Sequence, residues 1–107
     1  MIRGTTPYIK FNVSGTDLSD ITDILITFET KNYEMTKRGS DVIRTFDEFN
    51  EPDGGFYVRL TQEETLAFPI GRLSVQVKMI NANDDVVATR QFSLRVEEAL
   101  YEEVITV

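Results

Sequence analysis

Apolar and polar residues alternate with a period of two along most of the chain, which is the side-chain repeat of a β-strand. Tyr8-Ile9-Lys10-Phe11-Asn12-Val13 predicts a first strand with Ile9, Phe11 and Val13 on one face and Pro7 at its mouth, where a missing N–H costs little. Ser14-Gly15-Thr16-Asp17 is a turn cluster. Residues 21–29 predict a second strand with Ile24, Ile26 and Phe28 inward, and Leu25 opposite them beside Asp23 and Thr27. Tyr33 and Met35 alternate with Glu34 and Thr36 in a short third strand, which Arg38-Gly39-Ser40 breaks. Residues 41–46 are expected to be extended, with either face inward. Asn50-Glu51-Pro52-Asp53-Gly54-Gly55 is the strongest breaker and reads as a loop. Phe56, Val58 and Leu60 then alternate with Tyr57 and Arg59.

The pattern changes once. Thr61-Gln62-Glu63-Glu64 matches a capping box, in which the Thr hydroxyl and the Glu carboxylate each satisfy an orphan N–H at a helix start. Leu66 and Phe68 follow, and Pro69 ends a helical piece of one or two turns. Residues 72–96 predict a hairpin. Leu73, Val75, Val77 and Met79 face inward, Asn81-Ala82-Asn83-Asp84-Asp85 supplies the turn, and Ala88, Phe92, Leu94 and Val96 return on one face. Arg90 falls on that same face, so either a bulge shifts the register or the strand end is exposed. Strands this short and closely spaced predict an all-β fold, an immunoglobulin-like β-sandwich of about seven antiparallel strands with one short helical turn. Residues 1–107 read as one domain, with an extended N-terminal arm (1–7) and an acidic C-terminal tail (97–107).

Composition narrows the function classes. The chain has 18 acidic and 11 basic residues, a net charge of −7, which argues against a phosphate-binding surface and against docking to anionic lipid. Cysteine and histidine are absent, which removes disulfides, the usual zinc ligands and the nucleophile–base pairs of covalent catalysis. Residues 1–15 hold no long apolar run, so no secretory signal is expected. The adjacent acids Glu63/Glu64 and Glu102/Glu103 do not place two carboxyls across a cleft, and Glu64 already has a capping role. Asn81, Asn83, Asp84 and Asp85, like Asp17, Asp20 and Asp23, lack the spacing of a calcium loop and read as turn formers. Lys37-Arg38 is too short for a nucleic-acid footprint. Tyr8, Tyr33, Tyr57 and Tyr101 suit interface anchors and half-buried strand positions equally well. No enzyme activity, cofactor, metal, nucleic acid, membrane or small-molecule substrate is expected.

The unabsorbed features are the two ends. Met1-Ile2-Arg3-Gly4-Thr5-Thr6-Pro7 is polar and extended, and the acidic tail carries spaced apolar residues, so both could add to a neighbour's sheet. That opening segment resembles the start of a group of short proteins encoded by phages and prophages of Gram-positive and gut bacteria. Leu60-Thr61-Gln62-Glu63-Glu64-Thr65-Leu66-Ala67-Phe68 resembles their central motif. Ser74-Val75-Gln76-Val77-Lys78, the Asn83-Asp84 turn, and Val96-Glu97-Glu98 followed by Leu100 and Glu103-Val104 also fit. The block from Val13 to Asn50 matches no such motif.

The layout is similar to the immunoglobulin-like N-terminal domain of phage baseplate upper proteins, which docks receptor-binding parts to the tail. Those proteins continue into a stalk, so the resemblance implies a ring or adaptor subunit rather than a receptor carrier. The expectation is a non-enzymatic virion protein, made in the host cytoplasm, that associates with itself and with other virion proteins. Contact residues are expected among Arg3, Thr5, Pro7, Gln62, Glu63, Leu100, Tyr101 and Val104. The alternative is a phage-encoded acidic inhibitor that presents carboxylates to the basic cleft of a host defence protein.

Overall fold

The computed structural model describes residues 1–12, 20–43, 55–89, 91–100 and 104. The turn at Ser14–Asp17, the residues after Ile43, most of the glycine-proline loop, Arg90, Tyr101 and the acids Glu102 and Glu103 lie outside the described residues. Among the described residues eight strands and one short helix follow in order: β1 (Tyr8–Asn12), β2 (Ile21–Glu29), β3 (Glu34–Arg38), β4 (Val42–Ile43), β5 (Gly55–Arg59), α1 (Gln62–Ala67), β6 (Gly71–Asn81), β7 (Val86–Ala88) and β8 (Phe92–Val96). A 3₁₀ turn at Gly39–Asp41 joins β3 to β4, with Gly39 at φ 62.

The strands form two antiparallel sheets packed as a sandwich. The smaller has the order β1-β5-β4. The larger runs β3-β2-β6, and both β7 and β8 then pair with β6. These are the B-E-D and C′-C-F-G orders of an immunoglobulin-type sandwich. The helix lies in the crossover from β5 to β6, between the two sheets.

Alternation along the strands builds the core. Ile24, Ile26 and Phe28 of β2 face Leu73, Val75, Val77 and Met79 of β6 in the same layer, and Phe11, Phe56 and Val58 come from the opposite sheet. Ring pairs join the strands: Phe11 stacks on Phe56 at 5.3 Å, and Phe68 meets both Phe28 and Tyr33. Tyr57 departs from the simple alternation. It points away from the core side of β5, yet it is buried and packs edge-on against Tyr8.

The return strand departs more informatively. Residues 86–88 pair with 80–78, and residues 92–96 pair with 75–71, so three residues (89–91) oppose two (76–77). The register therefore slips by one residue between Ala88 and Phe92; Arg90, the charge in the apolar row, lies outside the described residues. The slip has a consequence for the expected inward set: Val87 lies opposite Met79 on the core side, and Ala88 lies opposite Lys78 on the outer face. Thr89 repairs the ladder at the bulge. Its N–H donates to the Val77 carbonyl at 2.9 Å, and its hydroxyl accepts from the Val77 N–H at 3.1 Å. The Gln76 amide donates to the Thr89 carbonyl.

The Asn81–Asp85 turn is closed by the side chain of its first residue. Asn81 Oδ1 accepts the backbone N–H groups of Asn83 and Asp85, both at 2.9 Å. Asp84 adopts φ 63, a left-handed conformation that Asp and Asn tolerate. Asp23 bonds the Ile24 N–H and pairs with Arg38 at 2.7 Å.

Candidate functional site

The helix starts as a capping box. Thr61 Oγ1 accepts the Glu64 N–H, and Glu64 Oε1 accepts the Thr61 N–H at 2.8 Å. Glu64 also meets Lys37 at 2.7 Å. Lys37 lies opposite Ile26, so this lysine points to the core side of the edge strand β3 and reaches across the sandwich to the helix. Burial raises the Glu64 pKa, but the Lys37 ammonium and the Thr61 N–H outweigh it and hold the carboxyl below its ordinary value. The period-two pattern that made Tyr33 and Met35 inward also makes Lys37 inward, and that was the available signal for this contact.

The N-terminal arm is docked rather than free. Ile2 forms a parallel bridge with Glu97 just past β8. The Met1 ammonium donates to the Arg95 carbonyl, the Glu97 N–H to the Met1 carbonyl, and the Arg3 N–H to the Glu97 carbonyl, at 2.7–3.1 Å. Arg3 also donates from its guanidinium to the Leu66 carbonyl at 2.7 Å, which satisfies a C-terminal carbonyl of α1. Thr65, fully buried, donates its hydroxyl to the Thr5 carbonyl at 2.8 Å. The Leu60 N–H donates to the Pro7 carbonyl.

Of the expected contact residues, the fold therefore brings Arg3, Thr5 and Pro7 together with the helix that carries Gln62 and Glu63. Glu63 stays exposed on that helix, and Gln62 is half-buried. Leu100 and Val104 are exposed and stand apart from this cluster; Leu100 is fully in solvent. The carbonyl and N–H groups that join the arm to Glu97 leave no mark in a side-chain pattern, so this junction was invisible in the sequence.

Beyond the arm, the β1–β8 margin of the sandwich is open. Strand β1 is the edge of the smaller sheet, and β8 flanks β6 at the edge of the larger one. Between them lies an apolar slot of about 300 Å³ lined by Ile9, Phe11, Phe56, Val77, Phe92 and Leu94, with Lys10 and Thr89 also contributing to its walls. Phe92 is 38% exposed even though its ring sits 5.7 Å from Phe11. Val86 and Val87, on opposite faces of β7, are exposed as well. On the outer face of the larger sheet Arg72 and Arg95 stand directly opposite each other, both exposed. Like charges so placed repel, and neither has an ionic partner among the described residues.

Among the described residues no group of three or more acidic, His or Cys side chains is placed to hold a metal ion. No described helix is long and apolar enough to cross a membrane.

No protein-family model matches the chain, and no curated protein matches it. Among solved structures, a crystal structure of the SrpA adhesin from Streptococcus sanguinis is similar, with a TM-score of 0.53 at 17% identity. The match covers 91% of this chain and 53% of the adhesin chain, so this protein spans about half of that structure. At this identity the likeness is one of fold.

Proposed function

We propose that this protein is a non-enzymatic structural module of a phage virion, an assembly or adaptor subunit of the tail or baseplate that works through protein–protein contacts. One observation carries the reading. Three of the five segments that resemble phage virion proteins, the arm, the Thr61–Phe68 turn and the Val96–Glu97 junction, are far apart in sequence, yet the arm bonds to both of the others. That cluster holds the arm and the Val96–Glu97 junction against the sandwich, and farther along the same β8 edge the apolar slot stays exposed, as a module that joins neighbours requires.

The test is direct. Purified particles from a host carrying the gene are analysed by mass spectrometry and by electron microscopy with a labelled copy. The expected result is a stoichiometric, repeated position on the tail. Particles that assemble without any copy of this protein would overturn the reading. Recovery of a host nuclease from lysate, in a complex that dissolves as salt rises, would instead favour the inhibitor alternative.

A further inference from the structure

We infer that the slot between β1 and β8 takes the C-terminal segment of a second copy of this chain, residues 98–107, added as a strand to the open edge of β8. The inference rests on the assembly reading above and names the partner.

The edge of β8 already accepts an extended segment through a single bridge. The arm bonds to Arg95 and Glu97 there, and Phe92 to Leu94 lie next along the same edge, beside the slot. The slot's walls are apolar and partly wet at Phe92, so an apolar strand that enters would bury rings that are now exposed.

The same chain carries a segment of matching chemistry. Leu100 and Val104 are exposed, and Val104-Ile105-Thr106-Val107 is an unbroken β-branched run. With a period of two, Ile105 and Val107 share one face, and Val104 and Thr106 the other. Glu98, Glu102 and Glu103 make the segment acidic, whereas Lys10 lines the slot and the β8 edge carries Arg95 on its outer face, opposite Arg72. An acidic strand brought to this edge would relieve the Arg72–Arg95 repulsion. Ten extended residues span about 33 Å, against about 17 Å for a five-residue strand such as β8, so reach is ample.

The arm decides between the chain's own tail and that of a neighbour. A tail folding straight back along β8 would have to pass the edge at Arg95–Glu97, which the arm occupies. A second copy meets no such obstacle.

The experiment uses the full chain and two variants. One is Val104→Asp with Ile105→Asp, which charges both faces of the donated strand. The other is Phe92→Asp, which charges the slot. Mass in solution is read across concentration for each. The wild type should self-associate and each variant should be monomeric. An equimolar mixture of the two should form a pair, because the intact tail of one fits the intact slot of the other. If the Phe92 variant fails a thermal-melt check of folding, Lys10→Glu replaces it and should weaken association about tenfold.

A wild type that stays monomeric, a tail variant that associates like wild type, or a mixture that forms no pair would each overturn the inference. Incorporation into virions with no self-association would sink this inference alone. Self-association by an intact tail and slot, with no copy in virions, would sink only the virion reading.

Discussion

The two margins of this sandwich treat apolar side chains differently. On the β3 side an inward lysine meets a capping glutamate, and the helix they share lies over Phe68, Phe28 and Tyr33. Phe68 is fully buried there. On the β1 and β8 side no described helix intervenes, and Phe92 keeps more than a third of its surface in water. Composition does not explain the contrast, since both margins are rich in aromatics. What differs is whether polar groups with backbone partners lie over the rings.

The largest expected effect separates the two margins. Phe68→Ala should cost about 3–5 kcal/mol in chemical denaturation, because it opens a cavity under α1. Phe92→Ala should cost about 1 kcal/mol or less, and it should act mainly on self-association. Equal losses would break the comparison.

A smaller effect tests how the arm is held. Thr65→Val keeps the volume but removes the hydroxyl that bonds the Thr5 carbonyl. It should cost about 1–3 kcal/mol. Faster hydrogen exchange at the Arg3 and Glu97 amides would show that the arm has loosened; Thr65→Ser should keep their protection.

The smallest effect sharpens the role of the lysine–glutamate lid. The folded pKa of Glu64 lies below its unfolded value. Its contribution to stability is therefore complete above the unfolded carboxylate range, and it is lost as pH falls through the folded pKa. Thermal melts of the wild type should drop across that acidic window, and those of Glu64→Gln and Lys37→Met should drop less. Identical acid profiles would show that the pair is only a surface contact.

The sequence made some of this legible and hid the rest for identifiable reasons. The span and inward face of β2, the inward row of β6 and the capping box at Thr61 all follow from side-chain identity, and the structure has them. The register slip was announced by a conflict, a charged residue in an apolar row, which left a bulge and an exposed strand end equally open. Its outcome was not announced. A one-residue slip exchanges Ala88 for Val87 on the core side, and only the pairing partner reveals which side of the slip each residue occupies. Tyr57 misled for a different reason: its strand position faces outward, and its burial comes from neighbours beyond the strand. The expected contact residues split along the same line. Arg3, Thr5 and Pro7 use backbone carbonyls or N–H groups to bind within the chain, and such bonds carry no sequence signature. Leu100 and Val104 are exposed, as their place in a polar tail suggests.

The parallel bridge between Ile2 and Glu97 also sets the mechanical behaviour of the domain. Both segments run in the same direction, so a pull that separates the two ends of the chain drags them past each other. The Met1, Arg3 and Glu97 bonds then resist together, in shear, instead of opening one after another. The sandwich behind them feels tension only once all three have given way. A subunit tied into a structure that contracts or strikes a surface would gain from that arrangement, and single-molecule stretching from the two ends should show one early, abrupt yield that Arg3→Pro removes.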